Sequence, residues 1–332
     1  MNVPLHIGVV GFGYFGRQYV RLLQEIPGVV LDTIVSRSRA TFEQQKELLH
    51  SPVRCATDLE EICGDPTISG VIVATPSSSH AAIATRLLRA GKHVLLEKPL
   101  TNTLEEAVQL QGVVRESGKI LMVGHQYLYH DYVRHLKEKL DQRILGEVRY
   151  CFAQQLSFGP LRNEKGCFWE MASHELSLVD YLFPHAAVAY AKGAAISLVR
   201  GWREDFAAAE IHYENGLMLT LVVSWYAPEK VRRVTLGGTK GMAVFDDRRE
   251  EGKLSFSLHP YPDLSSLPPG SSSFLRYEEN EIITPRLQAR EPLRNELEHF
   301  FECIKEQKTP LTDIEHGVRV IRSLDTIARS FS

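Results

Sequence analysis

The apolar stretch Ile7-Gly8-Val9-Val10 runs directly into Gly11-Phe12-Gly13-Tyr14-Phe15-Gly16, and apolar residues then recur at helical spacing through Tyr19, Val20, Leu22, Leu23 and Ile26. A strand, three glycines at G-x-G-x-x-G spacing and a helix leave few folds open. The glycines permit a tight turn and close main-chain approach, and the unpaired N–H groups at the helix start attract a pyrophosphate. This context favours a dinucleotide on Gly11, Gly13, Tyr14, Phe15 and Gly16 over a plain packing loop.

Val29–Val35, Ser69–Ala74, His93–Glu97 and Lys119–Val123 read as further strands, with apolar-periodic helices between them. Such alternation predicts a doubly wound parallel sheet, which binds ligands outside the carboxyl ends of its strands. Three of those ends carry candidates. Ser36-Arg37 follows the second strand, Ser36 standing twenty residues after Gly16. An acid there would bind the ribose 2'-hydroxyl of NAD, whereas a hydroxyl and a guanidinium suit a 2'-phosphate. NADP(H) is therefore expected over NAD(H), the alternative being that Arg37 stacks on the adenine or points to water. Thr75-Pro76 follows the third strand, and His80 just beyond is either a ligand contact or part of a helix cap. The fourth strand ends in Glu97-Lys98-Pro99. Proline restricts the residue before it, so the main chain sets where Lys98 stands. Alone, Glu97 and Lys98 are as readily a solvated pair; beside the glycine loop they become site candidates.

At 332 residues the chain exceeds the usual span of one core. We expect domains at 1–124 and 125–332. In the second, strand-like runs dominate: Gly146–Leu156, Phe206–Tyr213, Leu217–Tyr226, Val231–Leu236, Met242–Phe245 and Leu254–Leu258, joined in part by hairpin turns such as Glu214-Asn215-Gly216. This predicts an α+β domain on a large, open, mostly antiparallel sheet. Leu217–Tyr226 is apolar on both faces, so helices are expected over one face and a second subunit over the other, giving a homodimer or homotetramer. Tyr261–Ser273, with its prolines and serines, reads as a surface loop.

One helix there stands out, Phe168–Phe183. Ala172, Leu176, Val179 and Phe183 form one stripe; Glu170, His174, Ser177 and Tyr181 form the opposite one. A carboxylate one turn before His174 can orient the imidazole. By spacing alone, a solvated stripe with a weak ion pair is the more common outcome.

Net charge −3, with basic pairs only at Arg232-Arg233 and Arg248-Arg249, gives no phosphate track, so no nucleic acid is expected. Five cysteines without C-x-x-C spacing argue against a disulfide framework and against a structural metal, and fit a reducing compartment. No apolar run is long enough to span a bilayer. The expectation is a cytoplasmic protein without membrane partners.

The glycine loop, Ala74-Thr75-Pro76 with His80, the run from Ala90 through Glu97-Lys98-Pro99 to Leu100, and Glu170 with His174 together resemble the glucose-fructose oxidoreductase, inositol dehydrogenase and MocA family along nearly the whole chain. The resemblance implies a Rossmann domain, a second domain that binds substrate and often forms oligomers, and NAD(P)-dependent oxidation or reduction of sugars and polyols. The family's Glu-Lys-Pro lysine maps to Lys98 and its histidine four residues beyond an acid maps to His174; that acid is usually aspartate and here is Glu170. Gly159-Pro160-Leu161-Arg162, Glu291-Pro292-Leu293-Arg294 and Pro310-Leu311-Thr312-Asp313 are similar to branches linked to surface polysaccharides and nucleotide sugars. The expected catalytic set is thus Lys98, His174 and Glu170. Tyr127, Tyr129 and Arg162 are added as substrate contacts by motif position, and a nucleotide sugar is the leading substrate. A free sugar, polyol or dihydrodiol comes next, then a non-catalytic dinucleotide sensor or a cofactor-recycling elimination. Lys98 and His174 could exchange the role of base.

Overall fold

The fold is taken from a computed structural model, which describes residues 4–43, 46–50, 52–159, 165–184, 186–199, 203–258, 268, 270 and 281–331. By internal contact the chain separates into two compact units, residues 1–129 with 291–325 and residues 130–290 with 326–332. The stretch 291–325, which a single boundary at 124 assigns to the second domain, belongs by contact to the first unit.

The first unit is built on six parallel strands: β1 Leu5–Val10, β2 Val29–Val35, β3 Arg54–Ala56, β4 Ile68–Val73, β5 His93–Glu97 and β6 Leu121–Gly124, in the order β3-β2-β1-β4-β5-β6. Sequence alternation anticipated five of them; β3, three residues long, is too short to carry a period. Helices α1 Tyr14–Leu23, α2 Arg39–Glu43, α3 Glu60–Cys63, α4 His80–Arg89 and α5 Leu104–Ser117 make the crossovers. The Thr103-x-x-Glu106 box opens α5 as its pattern predicts, with both reciprocal hydrogen bonds formed. The similar Thr57-x-x-Glu60 pattern does not cap α3; the N–H of Glu60 is taken by Asp58 Oδ1 at 3.0 Å instead. A third sequence of this kind, Thr41-x-x-Gln44, has Gln44 outside the described residues, and the N–H of Thr41 is taken by Ser38 Oγ.

The second unit begins with α6 Asp131–Asp141, β7 Val148–Phe158 and α7 Cys167–Leu182. It continues with β8 Val188–Ile196, β9 Phe206–Tyr213, β10 Met218–Ser224, β11 Tyr226–Gly238, β12 Gly241–Asp246, β13 Leu254–Leu258 and β14 Glu281–Ile283. Its eight strands run in the order β14-β13-β12-β11-β7-β10-β9-β8. Only the β7–β10 pair is parallel, so the sheet is mostly antiparallel as expected. Cys151, Ala153 and Gln155 of β7 are buried, while the alternate positions Tyr150, Phe152, Gln154 and Phe158 are half-buried or exposed. The expected loop at 261–273 lies, but for residues 268 and 270, outside the described residues.

The chain then returns to the first unit as α8 Pro292–Glu306 and α9 Ile314–Ala328. A Cβ on Gly70 of β4 would touch both Ile304 and Phe300, and one on Gly317 would touch Val123 and Leu100, so both helices lie directly on the parallel sheet. Between them Thr312 takes the N–H and carbonyl of Val123, at 2.8 and 2.7 Å, and covers the edge of β6. Among the described residues no helix is long and apolar enough to cross a membrane.

Candidate active site

In the first unit the glycine loop takes the shape its sequence demands. Gly11 has φ +96°, and a Cβ there would meet the carbonyl oxygen of Ala74 at 2.5 Å. Gly13 differs: a Cβ there would meet nothing within 4 Å. The protein itself gives no reason for glycine at that position, which keeps the main chain clear on the open side. Gly13 is also the N-cap of α1 and no side chain caps that helix. An uncapped N-terminus beside a cleared main chain fits a pyrophosphate. Tyr14 is exposed and stands edge-on to Phe15.

At the end of β2, Ser36 is buried with its N–H on Ala56 O at 3.0 Å, and Arg37 is exposed. After β4, Thr75 Oγ1 receives Ser79 Oγ at 2.8 Å, and Pro76 is exposed. His80 is buried, with Nδ1 2.8 Å from Pro99 O and Nε2 3.0 Å from Thr75 O. Its ring therefore ties the turn after β4 to the turn after β5.

The Lys98–Pro99 peptide is cis, and Lys98 is half-buried at the carboxyl end of β5. Glu97 points inward. Its Oε1 accepts from Tyr19 Oη at 2.8 Å and its Oε2 from the N–H of Lys98 at 3.0 Å. Tyr129, expected at the substrate, is fully buried, with its hydroxyl 3.2 Å from Thr312 Oγ1. It packs the core; Tyr127, 7% exposed, lies nearer the surface. Arg162 lies outside the described residues.

In the second unit α7 carries Glu170 and His174 one turn apart, 5% and 8% exposed. The stripe that could have been solvated is buried: Ser177 has no exposed surface, and only Tyr181 of the four is half-buried. Buried polar groups gathered at one end of a helix are held for a reason other than solubility. Ahead of them Lys165 Nζ lies 4.8 Å over the Trp169 ring.

Three residues escaped sequence reasoning. Glu175 of α7 is buried, and burial pushes its carboxyl up to about 8. The Gln155 amide, oriented to donate to Met171 O at 3.1 Å, also donates to Glu175 Oε1 at 3.2 Å. Glu296 of α8 is fully buried, and Tyr19 of α1 meets Glu97. A signal existed for Glu296, since it stands among Leu293, Leu297, Phe300 and Ile304 at core spacing. A cavity of about 640 Å³ in the second unit, lined among others by Asp141, Arg143, Asn215 and Lys240, contains none of the expected site residues.

Residues 5–125 match the description "Oxidoreductase family, NAD-binding Rossmann fold", and residues 137–332 match its companion, "C-terminal alpha/beta domain". The UDP-N-acetylglucosamine 3-dehydrogenase of Acidithiobacillus ferrooxidans is 25% identical over 96% of this chain and 95% of its own. Its crystal structure superposes with a TM-score of 0.83 at 23% identity, covering 99% of this chain and 98% of that one. The scyllo-inositol 2-dehydrogenase (NAD(+)) of Bacillus subtilis is 25% identical over 96% of this chain and 92% of its own. A 3-ketoreductase from Actinomadura kijaniata, solved with NADP and TDP-benzene, superposes with a TM-score of 0.82 at 19% identity, covering 99% of this chain and 98% of that one.

Proposed function

The chain belongs to the GFO/IDH/MocA family of NAD-binding oxidoreductases, and from that premise we propose that it transfers a hydride between a nicotinamide cofactor and a hydroxyl-bearing carbon of a nucleotide sugar. The observation that carries the reading is the pairing of Gly13, where a Cβ would meet nothing within 4 Å, with Lys98, fixed at a strand end of the same parallel sheet. The relation to the UDP-N-acetylglucosamine 3-dehydrogenase over nearly the whole of both chains supports the substrate class.

The loop Gly11–Gly16 binds the pyrophosphate through the start of α1, and Ser36 and Arg37 receive a 2'-phosphate, which makes NADP(H) the preferred form. When bound, the nicotinamide supplies the hydride acceptor or donor. In the oxidising direction the carbinol loses hydride from carbon and a proton from oxygen. His174 takes that proton as general base, and Glu170 orients its imidazole. Lys98 donates a hydrogen bond to the same oxygen and stabilises the negative charge that develops on it. His80 holds the turns carrying Thr75 and Pro99, and so supports the setting of Lys98. The half-buried apolar face of the eight-stranded sheet, with exposed Phe158 and Tyr226, is the surface on which copies of the chain associate. Five free cysteines suit a reducing, cytoplasmic setting.

The test is absorbance of the reduced nicotinamide with both oxidised cofactors against a panel of nucleotide sugars and their free-sugar counterparts. Turnover with a nucleotide sugar alone is expected. Turnover only with free sugars or inositols would overturn the substrate class and move the enzyme toward its scyllo-inositol relative, while cofactor binding without turnover on the whole panel would overturn the hydride-transfer reading.

A further inference from the structure

Two carboxyl side chains meet inside the first unit behind Lys98. Glu97, 8% exposed, has a donor on each oxygen, Tyr19 Oη on one and the N–H of Lys98 on the other. Glu296 reaches the same place from α8, has no exposed surface, and neither of its oxygens has a hydrogen-bond partner among the described residues. Gly124 sets the spacing. It is the register partner of Glu97 on β6, and the point where its Cβ would stand lies 3.2 Å from Glu296 Oε1, 3.3 Å from Tyr19 Oη and 3.4 Å from Glu97 Cα. Any side chain larger than hydrogen at Gly124 would press on the Glu296 and Tyr19 oxygens and touch Glu97.

Two ionised carboxylates gathered around one buried point, one of them without a donor on either oxygen, repel each other at neutral pH, so the pair retains one proton. The proton belongs where charge is least solvated. Glu97 has two donors to stabilise its negative form, and Glu296 has none. Burial, followed by the charge of Glu97, raises the Glu296 carboxyl well above the usual range, in agreement with the geometry.

We propose that Glu296 carries the single proton of a buried Glu97–Glu296 pair, and that by leaving Glu97 ionised it positions the main chain of Lys98. Glu296 touches no substrate in this assignment; it acts through Glu97, whose carboxylate holds both Tyr19 and the Lys98 amide. The clamp stands on the geometry given above, and only its purpose rests on the reading of Lys98 as donor to the substrate oxygen. The groups facing Glu296 are Tyr19 from α1 and Glu97 from β5. As pH rises far enough to ionise Glu296, a second charge appears beside Glu97 and the clamp loosens.

Two readouts test this without any substrate. The infrared carbonyl stretch of an un-ionised carboxylic acid reports the proton, measured at neutral pH in a Glu175→Gln background because buried Glu175 also holds a proton there: the band is expected with Glu296 intact and lost when Glu296→Gln is added. Hydrogen exchange of the Lys98 amide, followed by NMR and corrected for intrinsic rates, reports the clamp. Tyr19→Phe, which removes one donor to Glu97, is expected to speed that exchange about tenfold. Glu296→Gln, a neutral mimic of the acid, is expected to leave it within about twofold at neutral pH, and to preserve protection at alkaline pH where wild type loses it. In that background an acid band that survives Glu296→Gln overturns the placement of the proton. Lys98 exchange unchanged in both variants across the pH range overturns the positioning role. An active Lys98→Met would instead strike the catalytic reading while leaving both readouts standing, so the two failures are distinct.

Discussion

A Cβ on Gly16 would stand 2.0 Å from the carbonyl oxygen of Gly11, so the third glycine of the loop is held against the first, and Gly11 in turn is held against the carbonyl oxygen of Ala74. Gly13 between them is not locked by anything in the protein. The two substitutions therefore separate folding from binding. Gly16→Ala is expected to lower the unfolding free energy by about 1–3 kcal/mol, as overpacking does, seen as a lower denaturant midpoint. Gly13→Ala is expected to fold normally and weaken cofactor binding about tenfold or more, a change of about 1.4 kcal/mol, read by titrating the reduced cofactor's fluorescence. Equal cofactor affinity in Gly13→Ala and wild type would dissociate the loop from the pyrophosphate.

The proposed preference for NADP(H) rests on the end of β2. NADPH is expected to bind more tightly than NADH, and Arg37→Ala to weaken NADPH about tenfold while changing NADH by less than about twofold, because the guanidinium meets only the 2'-phosphate. Equal losses for both cofactors would show that Arg37 stacks on the adenine.

Lys98→Met and His174→Asn are each expected to lower kcat by about 10²–10⁴-fold, the range for loss of one positioned donor or base. Their pH profiles differ. Removing a general base abolishes the acid limb of kcat, so the variant that loses that limb identifies the base. Near wild-type turnover in both variants would remove these residues from the chemistry.

Glu175 links stability to pH. Its carboxyl is raised from 4.5 to about 8 by burial, so the folded state holds a proton that the unfolded state releases between those values. Stability from this group is fully present below the unfolded value and is lost as pH rises toward 8, at a slope of at most about 1.4 kcal/mol per pH unit. Glu175→Gln keeps an amide beside Gln155 and carries no such proton. Urea midpoints are expected to be flatter with pH in the variant, which gains on wild type toward pH 8; parallel midpoints would mean that Glu175 does not titrate in that window.

Phe158 is 76% exposed and Tyr226 52%, paired in register with ring centroids 5.5 Å apart. If this face joins copies of the chain, Phe158→Glu with Tyr226→Lys converts the oligomer to monomer by sedimentation velocity without a change in far-ultraviolet circular dichroism. An unchanged sedimentation coefficient would move the interface elsewhere.

Much of the architecture was legible because it repeats simple periods. Apolar strands with helices between them gave the parallel sheet, and the glycine spacing gave the start of α1. The strand β3 was missed since three residues carry no alternation. The α7 helix was read as two-faced, yet burial wraps Glu170, His174 and Ser177 as closely as Ala172 and Leu176; periodicity records polarity and cannot tell solvent from a lined interior. Tyr129 was placed at the substrate by position in the chain, but the hydroxyl of Thr312, 183 residues away, holds it in the core. The Tyr19–Glu97–Glu296 cluster draws on three distant elements and has no local pattern at all.

The return of residues 291–325 to the first unit also sets an order of events during synthesis. A nascent chain that has emerged through β6 holds all six strands of the parallel sheet, yet Gly70, Leu100 and Val123 wait for Phe300, Ile304 and Gly317, which the ribosome makes only after residues 130–290. The first unit is therefore begun before residues 130–290 and completed only after them, and a product truncated before α8 would present an apolar sheet face to chaperones and proteases.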